Sequence, residues 1–459
     1  MTHVAILGGG PAGYVGAIRA RQLGAEVTLV EMDALGGTCL NRGCIPSKAL
    51  LKTAEVARTV QDSSQFGVDC QFQGFNWGQA IRRKNRVVAQ VVKGVEYLMD
   101  QNGIRVVRGK GRLADPLTIV VDTEGGEETV RADRVLLCPG SIPSPLPVPG
   151  GDAPGVLTSD EILDLDRIPE SLVVIGAGYV GVEFADIFSA VGSKVTIIEF
   201  LPRIVPGEDE EVSAELARSF RRRKIDMFTG ARVSGMSERN GKRLVAFTQE
   251  GQEREVEAEV VLSAVGRWAN TEGIGLSEAG LEMNGRFIKV NGRMATNVPQ
   301  VYACGDAIGG YLLAHVAFAE GKVAAQNALG RESEMDYTAI PSAVYTHPEI
   351  GSTGLTEAQA GERGIDVKVG RFFFRAAGKA VAEAEREGMA KVVVKAATGQ
   401  VIGGQIVGPH ATDLIHEVVL AVRLGATAEQ VGEMVHAHPT LAEPIMEAAE
   451  DALGRAIHK

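Results

Sequence analysis

Cys39 and Cys44 stand with four residues between them in the run Gly36-Gly37-Thr38-Cys39-Leu40-Asn41-Arg42-Gly43-Cys44-Ile45-Pro46-Ser47-Lys48. Two sulfurs this close can trade an electron pair between dithiol and disulfide. A regular α-helix cannot carry the bridge: a five-residue step rises about 7.5 Å, whereas bridged cysteines usually hold their Cα atoms roughly 4.4–6.8 Å apart. Gly43 frees the backbone before Cys44, and Pro46, lacking an amide hydrogen, suits the first turn of a helix that continues through Ser47-Lys48-Ala49-Leu50-Leu51. Cys44 is therefore expected at a helix N-terminus, where the dipole and unpaired amides favour the thiolate, the reactive form of sulfur. A structural disulfide or two buried thiols would satisfy the same run.

A second group of chemical residues lies near the C-terminus, in His436-Ala437-His438-Pro439-Thr440-Leu441-Ala442-Glu443. Pro439 biases His438 towards an extended conformation, which places the imidazole on a loop. Glu443 can reach back to one ring nitrogen, fixing the tautomer and steadying the imidazolium while the other nitrogen takes a proton. Alone, a loop histidine is more often structural or incidental; beside a redox disulfide it is the natural base. The His-x-His pair does not fit zinc-finger spacing, so no metal is expected.

The elements that must position these groups are repeated. Strand-like His3 to Leu7 is followed by Gly8-Gly9-Gly10-Pro11-Ala12-Gly13, a helix, and a second strand ending at Glu31. Leu172 to Ile175 is followed by Gly176-Ala177-Gly178-Tyr179-Val180-Gly181, a helix, and a strand ending at Glu199. The glycines 8 and 176, 10 and 178, 13 and 181, and the glutamates 31 and 199, share one separation of 168 positions. Each copy has the parts of a dinucleotide-binding unit. The first Gly permits a tight turn, the second lets a pyrophosphate approach the backbone at a helix N-terminus, and the third allows close helix-to-strand packing. The glutamates can accept from ribose hydroxyls, and a carboxylate at Glu199 repels a 2′-phosphate, which favours NAD over NADP, with Arg203 near enough to weaken the inference slightly.

Composition limits the alternatives. A chain of 459 residues with 56 glycines predicts three or four domains and many close backbone approaches. A net charge of −11 argues against a nucleic-acid surface, and Arg221-Arg222-Arg223-Lys224 reads as a solvated helix face. No apolar run reaches the roughly 18 residues needed to span a bilayer, and the first strand begins at His3 without a leader, so a cytoplasmic protein is expected. Five cysteines do not make a secreted framework, and a disulfide in a reducing compartment is usually catalytic. Cys70, Cys138 and Cys304 read as buried thiols.

The expected architecture is α/β. Two Rossmann-like dinucleotide-binding domains occupy residues 1–145 and 146–268, a central domain 269–337, and a C-terminal α+β domain 338–459. The proline-rich stretch from Ile142 to Gly155 reads as a stiff connector, and Val301 to Asp306 as a strand presenting an acid in a loop. Ala314 to Leu329 reads as a helix, with strands at Arg371 to Phe374 and Lys391 to Lys395.

Taken together, the cysteine run, the two glycine units, Cys304-Gly305-Asp306 and His436-Ala437-His438-Pro439-Thr440 resemble the pyridine nucleotide-disulfide oxidoreductases, most of all their dihydrolipoyl dehydrogenase branch, over nearly the whole chain. The resemblance implies FAD on the first unit and NAD on the second. It also implies an active-site disulfide between Cys39 and Cys44, with Cys39 facing a dihydrolipoyl dithiol and Cys44 facing the flavin. His438 and Glu443 become the base and its partner. Carried onto this sequence, it assigns FAD contacts to Gly8, Gly10, Pro11, Ala12, Gly13, Glu31, Thr38, Lys48, Gly111, Asp306 and Ala314. NAD contacts fall to Gly176, Gly178, Tyr179, Gly181, Glu183, Glu199, Val233 and Gly266, with Glu183 pairing with Lys48 and Tyr179 covering the nicotinamide pocket. A homodimer supplying the histidine from its second subunit is implied, as are lipoyl domains and the acyltransferase core of a 2-oxo acid dehydrogenase complex as partners. Another NAD(P)H-dependent disulfide reductase of the same family is the alternative, though such relatives more often carry Lys where Ser47 stands and basic residues near Glu199. The chain departs from the family at Arg42, at Cys138-Pro139-Gly140 in place of Ala-Thr-Gly, and at Cys304.

Overall fold

The computed structural model describes residues 1–459. Strand His3–Leu7, helix Pro11–Gln22 and strand Glu26–Glu31 form the first βαβ unit; Ser171–Ile175, Tyr179–Ala190 and Lys194–Ile198 form the second. Residues 4–7 and 172–175 are buried without alternation, as parallel strands covered on both faces must be. The pairing register repeats with the sequence: His3 opposes Glu26 and Leu7 opposes Val30, while Ser171 opposes Lys194 and Ile175 opposes Ile198.

Each unit grows into a five-stranded parallel sheet. The first runs in the order Val301–Ala303, Arg134–Leu137, His3–Leu7, Glu26–Glu31, Arg105–Arg108. The second runs Asp226–Phe228, Lys194–Ile198, Ser171–Ile175, Val260–Ser263, Val156–Leu157. Each unit also carries a three-stranded antiparallel meander, Lys110–Asp115 to Gly126–Arg131 in one and Ala231–Arg239 to Gln252–Ala258 in the other. The repeat thus extends beyond the glycine units, into strands that share no motif.

The segment 269–337 is joined to the first unit. Its strand Val301–Ala303 is an edge of the first sheet. Helix Ala314–Ala328 lies so close to Pro11–Gln22 that a Cβ on Gly321 would sit 2.3 Å from the Ala12 carbonyl oxygen. The C-terminal sheet is antiparallel, in the order Ser342–Val344, Glu349–Gly354, Val401–Gly408, Met389–Lys395, Val367–Phe373. Helices Ala411–Leu424 and Glu443–Ala452 pack on it. The proline-rich connector is held at both ends: Ser141–Pro143 pairs with Arg267–Ala269, and Val156–Leu157 adds to the second sheet. No helix is long and apolar enough to cross a membrane.

Two expectations need correction. Cys70 is exposed, beyond the turn that follows the Cys44–Gln61 helix, whereas Cys138 and Cys304 are buried. Arg223 is not part of a solvated face. At the end of helix Glu210–Arg222 it folds inward to Asp186, whose side chain is fully buried, and donates to the His347 carbonyl at 2.6 Å.

Asp186 also accepts from Arg58 at 3.1 Å and from the His347 amide at 3.3 Å. One carboxylate on the second unit's helix therefore ties down the cysteine-bearing helix and the start of the C-terminal domain. Burial pushes its carboxyl up, but Arg223 and Arg58 outweigh that and hold it below the usual carboxylate range. A depressed folded value means that the stabilisation is present above the unfolded value and is lost as pH falls through the folded one. Asp186→Ala leaves two guanidinium groups without a buried partner, a change worth about 3–5 kcal/mol. The expected result is a lower urea midpoint at neutral pH, with the gap to the parent narrowing below about pH 4; an unchanged neutral midpoint would refute the clamp.

Candidate active site

The cysteine run folds as two helices, Gly37–Arg42 and Cys44–Gln61, broken at Gly43. Gly43 has φ −138° and ψ −108°, and a Cβ there would sit 3.1 Å from the Thr38 carbonyl oxygen and 3.5 Å from the Cys39 Cα. The break therefore folds the second helix back on the first. Cys44 becomes the first residue of its helix, with Ser47 closing the turn onto the Cys44 carbonyl at 3.1 Å.

Both cysteines are half-buried free thiols, the reduced form of the couple. Hydrogen bonding with Cys39 is the main force pulling the Cys44 thiol down, to about 7, and the Lys48 charge adds to it while burial and Glu183 oppose. Cys39 moves the opposite way, pushed up by that same hydrogen bond and by burial. The pair is thus polarised, with thiolate on Cys44 and proton on Cys39.

Lys48 lies one helical turn beyond Cys44. Its Nζ donates to Glu183 Oε1 at 3.0 Å and Oε2 at 2.8 Å, and stands 4.2 Å from the centre of the Tyr345 ring. Burial pulls the lysine down, but Glu183 wins and leaves it above its ordinary value, charged at neutral pH. The Tyr345 amide donates to Glu183 Oε1 at 3.1 Å, which fixes the acid. Nothing in the sequence neighbourhood of Tyr345 marks it as part of this site.

The two glycine units have the shape that a dinucleotide requires. Both helices start at a glycine cap with no side-chain cap and no acid in the first turn, so their N-terminal amides are free to meet an anion. A Cβ on Gly178 would meet nothing within 4 Å, and one on Gly10 only the Gly37 Cα at 3.8 Å. By contrast, a Cβ on Gly13 would strike the Gly8 carbonyl oxygen at 1.8 Å, and one on Gly181 the Gly176 oxygen at 2.0 Å. The second glycine leaves room and the third permits contact, as pyrophosphate binding requires. Pro11 is the first residue of its helix and Ala12 is buried behind it.

Glu31 and Glu199 do more than end a strand. Glu31 accepts from the Gly9 amide at 2.7 Å and the Asp33 amide at 2.8 Å. Glu199 accepts in the same way from Ala177 at 2.5 Å and Leu201 at 2.7 Å. Each carboxylate holds its glycine loop and keeps lone pairs for a ribose. Arg203 donates through Nη2 to the carbonyls of Pro206 at 3.1 Å and Glu208 at 3.2 Å, while its buried Nε has no partner.

Asp306 lies in the turn Gly305–Ile308 and accepts from the Ser141 hydroxyl, which is itself held by Arg267 at 2.7 Å. Beneath it Glu320 accepts from the Gly305 amide at 2.8 Å and the Tyr337 hydroxyl at 2.7 Å. Burial pushes the Glu320 carboxyl up to about 7 against those two bonds. A glutamate among alanines in an otherwise small-residue helix was the available signal for it. Ala314 is the first residue of that helix. Gly111 serves packing, since a Cβ there would lie 2.6 Å from Leu7 Cδ1. Tyr179 donates to Glu208 at 2.6 Å and accepts from Ser342 at 2.8 Å, which ties it down. Val233 lies beside a bulge in its strand, and Gly266 at φ +119° accepts from the Ser144 amide at 2.9 Å. Thr38 precedes Cys39 on the shorter helix.

His438 stands on a loop, 76% exposed, with Nδ1 hydrogen-bonded to Glu443 Oε1 at 2.8 Å. The other Glu443 oxygen accepts from the Thr440 amide at 2.8 Å. No hydrogen bond or ion pair links either residue to the cysteine helix, so one chain brings together Cys39, Cys44, Lys48 and Glu183 but leaves the imidazole facing outward.

Comparison with known proteins agrees with this geometry. The pyridine nucleotide-disulphide oxidoreductase family matches residues 2–321, and its dimerisation domain matches residues 340–449. The chain belongs to this family. It is 40% identical over 458 residues to a dihydrolipoyl dehydrogenase of Bacillus subtilis, covering 99% of each chain. It is 42% identical over 466 residues to the dihydrolipoyl dehydrogenase of Haloferax volcanii, covering 100% of this chain and 97% of the other. Among solved structures, LpdA from Mycobacterium tuberculosis superposes with a TM-score of 0.91 at 28% identity, over 98% of this chain and 99% of that one.

If Cys44 is the polarised thiol, the dithiol protein should show one thiolate absorbance in the far ultraviolet that fades as pH falls through about 7. Cys44→Ser should lack it, and Lys48→Met should move its midpoint upward. A midpoint unmoved by Lys48→Met would rule out the lysine as a source of the shift.

Proposed function

We propose that this chain oxidises protein-bound dihydrolipoyl groups to lipoyl groups and reduces NAD+ to NADH, using FAD and the Cys39–Cys44 couple. The observation that carries this reading is the polarised sulfur pair, set beside one of two built dinucleotide loops. In the oxidised protein a substrate thiolate attacks the Cys39 sulfur, forming a mixed disulfide and releasing Cys44 as thiolate, a leaving group stabilised by Lys48 and its helix N-terminus. The second substrate thiolate attacks the substrate sulfur in that mixed disulfide. Oxidised lipoyl group departs and Cys39 becomes a thiol. FAD held on the first unit would supply the two-electron chemistry that connects the Cys44 thiolate with NAD+ on the second.

The chain's residues have separable tasks. Gly8, Gly10, Pro11, Ala12 and Gly13 would hold the FAD pyrophosphate with Glu31 on a ribose, and Thr38, Lys48, Gly111, Asp306 and Ala314 would complete that site. Gly176, Gly178, Gly181 and Glu199, with Tyr179, Glu183, Val233 and Gly266, would hold NAD. The carboxylate of Glu199 supports NAD over NADP. The partner subunit's His438, held by Glu443, would take the substrate proton on Nε2; its exposure and the family's dimerisation domain support a homodimer. Lipoyl domains on an acyltransferase core, a cytoplasmic location, and four units at 1–145, 146–268, 269–337 and 338–459 complete the reading.

Steady-state assays test it. Dihydrolipoamide with NAD+ should be the productive pair, and kcat/KM for NAD+ should exceed that for NADP+ by about 10²-fold or more, the scale of a like-charge clash of several kcal/mol. Glutathione turning over as well as dihydrolipoamide would sink the substrate assignment. His438→Gln should slow the dithiol reaction by about 10²–10⁴-fold, the usual worth of a general base, while NADH oxidation by an artificial acceptor stays near the parent rate. Equal losses in both assays would remove His438 from the proton step.

A further inference from the structure

Two cysteines outside the reacting couple face each other at the end of the first sheet. Strands Val301–Ala303 and Arg134–Leu137 pair in parallel, with Val301 opposite Val135 and Ala303 opposite Leu137, so Cys304 and Cys138 are the next residues along the two strands. Their Sγ atoms lie 3.4 Å apart, and both side chains are buried. Adjacent strands lie about 4.7–4.9 Å apart, inside the range of roughly 4.4–6.8 Å that a disulfide asks of its Cα atoms. Closing the sulfurs to a bond of about 2.05 Å requires a shift of about 1.4 Å. The chain can give here, because both strands leave the sheet at once, through Gly140 at φ +71° and Gly305 at φ +75°.

The same sulfurs underlie the first dinucleotide loop. A Cβ on Gly8 would lie 2.1 Å from the Cys138 carbonyl oxygen, and one on Gly13 would lie 3.6 Å from the Cys138 Cβ. Cys304 directly precedes the turn that carries Asp306. A bond between them would lock the two strand ends on which the loop and the turn rest.

We infer that Cys138 and Cys304 form a second oxidisable pair, converted by a peroxide into a disulfide that staples the first dinucleotide-binding site. One thiol attacks peroxide oxygen, giving a sulfenic acid and one water. The other sulfur then displaces the hydroxyl as a second water and closes the S–S bond. Two thiols are oxidised and one peroxide is reduced to two waters. Contact with Cys138, then burial, push the Cys304 thiol up, so this pair reacts more slowly than the Cys39–Cys44 couple. The cross-link needs only the two sulfurs; its effect on flavin rests on the proposal that FAD fills this site.

The test uses Cys70→Ser holoenzyme with Cys39 and Cys44 as their disulfide, leaving Cys138 and Cys304 as the thiols that titrate on unfolding. After hydrogen peroxide, neither should titrate, and mass mapping should find the two cysteine peptides joined and two hydrogens lighter than the reduced pair. Both thiols persisting, or either appearing as sulfinic or sulfonic acid without a linked pair, overturns the inference. The linked peptide must vanish in Cys70→Ser/Cys138→Ala; a surviving link there overturns it too. FAD release in urea should be several-fold slower from the linked protein, and equal release overturns the staple. Protein that never holds FAD refutes the flavin reading instead, and the peptide map still decides the cross-link.

Discussion

The site depends on backbone contacts that leave no space for a side chain. At Gly13 against Gly8 and Gly181 against Gly176, an added Cβ would sit 1.8 and 2.0 Å from a carbonyl oxygen. Each contact fixes the start of a helix over the end of a strand, which is what aims the free amides of the first turn at one point. The approach is passed on to the chemistry by another glycine pair. Gly37, at φ +56°, opens the Cys39 helix, and a Cβ there would lie 2.7 Å from the Gly10 Cα. The cysteine run is therefore seated against the first dinucleotide loop by backbone alone, and the distance between sulfur and nucleotide is set before any side chain is chosen.

Charge then fixes what geometry has placed. Glu183 and Asp186 stand three residues apart on helix Tyr179–Ala190, both buried, and both point to the cysteine helix, one holding Lys48 and the other Arg58. Glu183 also holds the Tyr345 amide, and Asp186 the His347 amide. Two acids on the second unit thereby connect the first unit to the C-terminal domain. The loss of either leaves a half-buried cation without its partner. Lys48 therefore depends on Glu183, and the low Cys44 value depends in part on Lys48.

The units built from local rules were legible in the sequence. Strand, glycine turn and helix follow one another within about 30 residues, and the constant separation of 168 positions marked the second copy. The break between the two cysteine helices was legible as well, because Gly43 and Pro46 act on their own neighbours. What escaped notice joins distant segments. Asp186, Arg223 and His347 are brought together by packing, and Arg223 looks like any other member of a basic run until the fold turns it inward. The same holds for the meeting of Cys138 with Cys304, 166 residues apart, which required knowing that their strands are neighbours. Asp186 did leave a trace, being with Glu183 one of two acids among the apolar residues from Val182 to Phe188, where a charge on a buried helix must have a partner.

The division of labour between the sulfurs and the imidazole follows from what each needs. A thiolate near neutrality needs a hydrogen-bond donor, a fixed cation and a helix N-terminus to outweigh the burial that opposes it, and the chain supplies all three around Cys44 by packing its own units together. In the proposed reaction a base for a substrate thiol needs the opposite surroundings. It must meet a dithiol carried on another protein, so it cannot be enclosed with the cysteines, yet its tautomer must be set before the substrate arrives. Glu443 meets that second need locally, because one of its oxygens is held by the Thr440 amide and the other meets the imidazole Nδ1. With Nδ1 bound and the ring exposed, His438 would in the proposed reaction complete a site that its own chain does not contain. In the proposed reaction a dimer is then the simplest geometry that lets a half-buried thiolate and an accessible base act on one dithiol.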